Sequence, residues 1–237
     1  LNHRLGLDNQ LSRVIGSKAR KDPKRIVFAD AENIKILKVA QLVMEEGVAY
    51  PILLGKEHKI RKLADENGID LEGMPIMNPA DDHHEDARKK FGDLFFEKRQ
   101  RRGVNKYESY KAMKDRNHFG CMLVDSGEAD GMISGLSRNY PDTIRPALQI
   151  IGTEPGVKKI AGMYIMFTKR GPLFLADTTV NFNPTAEELA EITLLVAKEV
   201  KLFNINPRIA MLSYSNFGSS DSPEANLVRK AREIVKE

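Results

Sequence analysis

Residues 25–55, RIVFADAENIKILKVAQLVMEEGVAYPILLG, decide the fold. The opening RIVFAD is a short apolar run that ends on a carboxylate, as a buried strand does where it leaves its sheet. In the segment after it, Ile36, Val39, Ala40 and Val43 recur at helical spacing until Gly47 supplies a stop. Residues 50–54 then form a second continuous apolar block, turned by Gly55. Strand, helix and strand at this spacing make a parallel crossover unit.

The alternation continues outward. Residues 58–67 read as a helix closed by Gly68, MPIMNP as an extended stretch, residues 86–98 as a long helix and residues 106–116 as another. Apolar residues return in short strand-like blocks at 119–124 and 129–133, divided by the turn Asp125-Ser126-Gly127. Strands alternating with helices of this length predict a mostly parallel sheet covered on both faces. After a helix over 143–151, GTEPGV marks a lobe boundary. The expected organisation is a linker helix region (1–24), a first α/β lobe (25–151) and a second, truncated α/β lobe (152–237). In the second lobe, 159–167 and 173–176 form a strand pair around the turn 168–171. A helix over 185–203 opens on Asn183-Pro184-Thr185 with Glu187 and Glu188 in its first turn. A strand at 209–214 and a charged helix over 222–237 follow, and a lobe ending this way reads as unfinished. With Leu1 at its start in place of Met, the chain reads as a fragment.

Composition narrows the classes. The 237 residues, 41% hydrophobic, are enough to bury one large or two modest cores. The 37 basic and 33 acidic residues leave a net charge of +4 with both signs scattered, a pattern that points away from nucleic acid and leaves an anionic small molecule compatible. The sole cysteine, Cys121, excludes an internal disulfide and sits in an apolar block, as an inert core thiol does. With no export signal and no apolar run near the ~20 residues that cross a bilayer, the expectation is a cytoplasmic protein without membrane contact. The five histidines lack metal-ligand spacing, and no metal site is expected. No glycine-rich dinucleotide or nucleotide fingerprint occurs.

Two segments carry ligand chemistry. Residues 131–152, GMISGLSRNYPDTIRPALQIIG, place Ser134, Gly135, Arg138 and Arg145 around the start of an apolar helix, an arrangement suited to a phosphate-like anion. Arg145 also stands one turn after Asp142, so an ion pair competes with that role. Residues 210–223, AMLSYSNFGSSDSP, repeat the theme with Ser215, Gly218 and Ser219 in a hydroxyl-rich turn. Two such turns suit a ligand with several acceptor oxygens. Within the basic run KRQRRG (98–103), one guanidinium turned inward would grip phosphate bidentately, whereas a solvated helix end is the simpler reading. Asp177, at the end of a strand, is a candidate cleft carboxylate or a loop-ordering one.

Taken in order, residues 25–55, FEKRQRRG, GEADGMISG, DTIRPALQIIGTEPGVK, FLADTTVN and AMLSYSNFGSS resemble the phosphate acetyl/butyryltransferase family, the phosphotransacetylases. RRGVNKYES, FLADTTVNFNPTAEELAEIT and SNFGSSDSP are similar to the phosphotransacetylase-type C-terminal domain of hybrid NADP-dependent malic enzymes, and LGLDN to the segment joining it to the malic half. The resemblance implies two three-layer α/β/α lobes of the isocitrate and isopropylmalate dehydrogenase type, the second incomplete here, with coenzyme A and acetyl phosphate meeting between them. It matches Arg99 to the family's FEKR arginine, Arg145 to that of the DTxRPA block, and Ser134 with Gly135 to its SG turn. In the family, an aspartate deprotonates the coenzyme A thiol while arginines hold phosphate.

The chain departs from the family where the residues after SG are Leu136-Ser137-Arg138-Asn139-Tyr140-Pro141 rather than a histidine with small hydroxyls. The family's Ser-Arg motif and aspartate come from a further C-terminal segment, so no catalytic residue is assigned. Three readings follow: an acetyl-CoA-sensing, oligomer-forming regulatory domain, which the altered turn favours; a working phosphate acetyltransferase, which the retained DTIRPAL block supports; and a subunit scaffold without ligand. The partner expected is acetyl-CoA or an acyl phosphate, within a homo-oligomer. This domain needs no cofactor of its own, NADP and a divalent metal belonging to an upstream malic half.

Overall fold

The computed structural model describes residues 10–168, 170–215 and 219–236. They fall into two compact units, residues 16–152, and residues 10–15 with 153–236; helix α1 (Gln10–Lys21) straddles the division.

The first unit is built on four parallel strands, β1 (Lys24–Phe28), β2 (Ala49–Leu54), β3 (Ile76–Met77) and β4 (Gly131–Ile133), in the order β3-β2-β1-β4. The pleat sends Val27 and Leu54 to one face and Phe28 and Leu53 to the other, all but sealed from solvent. Helices α2 (Ile34–Glu45) and α3 (Glu57–Asp65) cover the Phe28 face through Leu37, Ala40 and Ile60. On the Val27 face, α4 (Glu85–Arg99), α5 (Lys106–Ala112), α6 (Arg116–Asp125) and α7 (Tyr140–Ile150) pack around Phe91, Phe95, Met113 and Phe119. Apolar strands buried on both faces are what a three-layer α/β/α arrangement demands. Asn33 caps α2 and Gly47, at φ 64, ends its last turn as a residue with a side chain would not do freely.

Two expected elements differ. The helix expected over 106–116 breaks at Ala112, because the Asp115 carboxylate accepts the N–H groups of Asn117 and His118 and starts a new helix. The strand-like block 119–124 is therefore the body of α6. Its residues Phe119, Gly120, Cys121, Met122 and Leu123 are all buried, and a helix covered all round has no polar face to announce its period. The Cys121 thiol is pushed up to about 12, chiefly by burial, as an inert core thiol should be.

The second unit contains an antiparallel hairpin, β5 (Met163–Thr168) with β6 (Gly171–Ala176), and helices α8 (Ala186–Leu202) and α9 (Pro223–Lys236). Thr185 and Glu188 form a reciprocal capping box at the start of α8. The strand expected at 209–214 is absent: these residues pair with no strand among those described, and Ile209, Leu212 and Tyr214 are exposed. Apolar sequence alone does not make a strand without a ladder to join. No helix of the described residues is long and apolar enough to cross a membrane.

A Cβ on Gly92 would stand 2.1 Å from the Tyr110 ring, so α4 and α5 meet because one side chain is missing. Gly to Ala inside a helix normally stabilises by up to about 1 kcal/mol. Here Gly92→Ala is expected to destabilise by roughly 1–3 kcal/mol in urea unfolding, through forced displacement of Tyr110; a stabilised variant would contradict this packing.

Candidate functional site

Because β1 and β4 are parallel neighbours in register, with Phe28 opposite Ile133, both chains leave the sheet at the same edge. The carboxyl ends of parallel strands are where open α/β sheets present ligand-binding groups. Asp30 follows β1 and is only 5% exposed. One of its oxygens accepts the N–H groups of Gly135 and Leu136, each at 3.0 Å, and the other accepts the Ser137 hydroxyl. Burial works to raise the Asp30 pKa, but the bonds from Ser137, Leu136 and Gly135, with the Arg116 charge nearby, outweigh it and hold the group below the usual carboxylate range. Gly135, at φ 120, turns the chain where a side chain would be strained. Ser134 donates its hydroxyl to Asn117 Oδ1 at 2.8 Å. Asn117 is 1% exposed and its Nδ2 has no hydrogen-bond partner among the described residues.

From this fixed turn the chain runs through Arg138 to Asn139, which caps α7 by accepting the N–H of Asp142 at 3.0 Å. An open hollow of about 460 Å³ lies here, lined by Asp115, His118, Ser137, Arg138, Asp142 and Arg145. The Arg138 guanidinium is ion-paired with Asp115, which also takes a hydrogen bond from His118 Nδ1 at 3.1 Å. Burial opposes ionisation of Asp115, yet its bonds to His118 and Arg138 keep it far below the usual carboxylate range. Arg145 stands 3.5 Å from Asp142, and both side chains are about half exposed or more. Guanidinium groups so placed can exchange a weak, solvent-screened carboxylate contact for a bidentate phosphate.

The structure thus brings Arg138 and Arg145 to one hollow. Ser134 and Gly135 hold the turn beneath it, with their polar groups engaged by Asn117 and Asp30. Arg99 lies half-buried in the last turn of α4 and is not among the residues lining the hollow; its buried Nε has no hydrogen-bond partner among the described residues. Ser215, Ser219 and Asp177 belong to the other unit. There Ser215 Oγ accepts the Ser220 N–H at 3.1 Å and lies 3.4 Å from Ser219 Oγ, while Arg229 of α9 clasps the Ser220 carbonyl at 2.6 Å. Gly218 lies outside the described residues. Asp177, at φ 57, accepts from Asn181 Nδ2 at 3.1 Å, which orders the loop after β6.

Sequence reading passed over Asp30, Asp115, Asn117 and His118 as site residues. The strand-end argument applied to Asp177 fits Asp30 better, since RIVFAD ends on it. DRNH (115–118) carried the signature of a capped helix start, hidden inside an expected longer helix.

Comparison with known proteins bears on this geometry. Residues 10–237 match the family described as Phosphate acetyl/butaryl transferase. The chain is 35% identical over 230 residues to the NADP-dependent malic enzyme of Escherichia coli, covering 97% of this chain and 30% of that protein. It is 39% identical to the phosphate acetyltransferase of Bacillus subtilis, covering 92% of this chain and 66% of that one. Among solved structures, the EutD phosphotransacetylase from Staphylococcus aureus superposes with a TM-score of 0.84 at 31% identity, covering 95% of this chain and 67% of that chain.

Asp30→Ala leaves the Gly135 and Leu136 amides and the Ser137 hydroxyl without their acceptor and is expected to cost roughly 2–4 kcal/mol of stability. The folded-state pKa of Asp30 is depressed, so its contribution is present above the unfolded value and is lost as pH falls through the folded one. Unfolding curves of the parent chain and Asp30→Ala should therefore differ at pH 7, and the gap should begin to close only below about pH 4. A gap that persists unchanged into acid would show that the charge is not what matters.

Proposed function

The chain belongs to the phosphate acetyl/butaryl transferase family, and on that premise we propose that it binds the phosphorylated end of an acyl phosphate or a coenzyme A thioester in the hollow at the start of α7. The observation that carries this reading is the placement of two guanidinium groups, Arg138 and Arg145, on one hollow at the carboxyl edge of a parallel sheet. Arg145 is the more available grip, because its hold on Asp142 is long and solvent-screened. Arg138 is spoken for by Asp115 and serves to shape the wall.

We further read the domain as regulatory: it binds acetyl-CoA and transmits occupancy to a malic-enzyme half of the same polypeptide. The support is the 35% identity to a malic enzyme across 97% of the chain. It is joined by the LSRNYP turn, which brings Arg138 to the Asp115 carboxylate at the start of α6 beside the hollow. The chain spans about a third of that relative's length, so the whole protein's activity is part of the proposal. A second reading, turnover between acetyl-CoA and phosphate, is favoured by the similarity to phosphate acetyltransferases and by the retained DTIRPAL block.

Calorimetry with acetyl phosphate and with acetyl-CoA tests binding. Arg145→Ala, at an exposed position, is expected to leave the unfolding midpoint unchanged and to weaken acetyl phosphate binding by about tenfold or more, as loss of a charge-assisted contact does. Unaltered affinity would remove the ligand from this hollow. Thiol release from acetyl-CoA in the presence of phosphate, assayed on the full polypeptide, separates the two readings: sustained turnover defeats the sensor. A change in malate oxidation on adding acetyl-CoA is the coupling a sensor requires.

A further inference from the structure

The charges around the hollow cancel. Arg138 faces Asp115 and Arg145 faces Asp142, two cations against two carboxylates. An entering dianion therefore meets no net positive charge until another group supplies it. Among the described residues, the only other titratable side chain lining the hollow is His118, and imidazole is the side chain that ordinarily changes charge near neutral pH. We propose that protonation of His118 accompanies anion capture, so that the hollow takes up a tetrahedral dianion together with a proton. This rests on the reading of the hollow as a phosphate site and names the group that completes its charge.

The surroundings of His118 suit that role from every side. Nδ1 meets Asp115 Oδ1 at 3.1 Å, and Nε2 meets Gln149 Oε1 on α7 at 3.4 Å. A doubly protonated ring donates at both ends, which a neutral one cannot do. From α4 the contact is the Phe95 ring, edge-on with centroids 5.8 Å apart, which fixes the imidazole plane without adding charge. Two α4 cations follow Phe95: Lys98 is held by Asp125 at 2.7 Å, at the opposite end of α6, and Arg99 lies half-buried without lining the hollow. Strand β4, Gly131–Ile133, carries no charged side chain. From the turn and α7 come Arg138, Asp142 and Arg145, whose net single positive charge balances the Asp115 carboxylate. The imidazole is thus the one variable charge in a ring of fixed ones, and it is only 20% exposed, so solvent screens it incompletely.

Inorganic sulfate is the probe, since it stays a dianion where phosphate itself takes up a proton. Sulfate affinity, measured by calorimetry, is expected to rise about tenfold from pH 8.0 to 5.5. Titration at pH 7 in buffers of different ionisation enthalpy should show net proton uptake by the unaltered chain. His118→Gln should bind with a nearly flat pH profile and without uptake. The proton count needs no variant, so the test stands if the substitution unfolds the protein. Sulfate bound with pH-independent affinity and no proton uptake overturns the proposal while leaving the phosphate site intact. A His118→Gln variant that keeps the full pH slope overturns it too. If neither sulfate nor acetyl phosphate binds at any pH, the phosphate reading fails and this proposal with it.

Discussion

A buried carboxylate gripping a turn more than a hundred residues away organises everything the first unit does. Asp30 leaves β1 beside the point where Ser134 leaves β4, and its two oxygens collect two backbone amides and a hydroxyl from residues 135–137. Buried amides without an acceptor are costly, so the turn has one well-satisfied conformation. The carboxylate in turn is tolerable at 5% exposure only because three donors and the nearby Arg116 face it. Each side makes the other affordable, and the direction in which the chain sets out toward α7 follows from the pair.

Asp115 does for the wall of the hollow what Asp30 does for its floor. Its Oδ1 starts α6 and orients His118, while its Oδ2 holds Arg138. A guanidinium pinned on one carboxylate loses little further freedom on meeting a ligand, which is the sense in which the site is preorganised. Its charge is partly spent on Asp115, whereas Arg145 faces solvent across a longer contact to Asp142. The chain is 35% identical to a malic enzyme and 39% identical to a phosphate acetyltransferase. A fold shared by both kinds of relative hosts a chemistry without dictating it.

In the second unit the described hydroxyls of the serine-rich turn are engaged within it. Ser215, Ser219 and Ser220 bond within the turn, and Arg229 ties the Ser220 carbonyl and the Asp221 carboxylate to α9. Serine clusters satisfy their own backbone as readily as a ligand. Asp177 behaves in the same way, closing its loop on Asn181.

Period and punctuation in the sequence determined the βαβ core, the parallel sheet, the β5–β6 hairpin and the capped start of α8, because strand alternation, helical spacing and caps act over a few residues. They also marked Arg138 and Arg145. The sequence misjudged 119–124, where burial on all sides erases the helical period, and 209–214, where apolar residues met no ladder. Only the tertiary structure joined Asp30 to Ser137, Ser134 to Asn117 and Arg138 to Asp115. Those partners stand far apart along the chain. Their pairing is set by which strands lie side by side in the sheet, and that is a property of the whole packed core rather than of any local stretch.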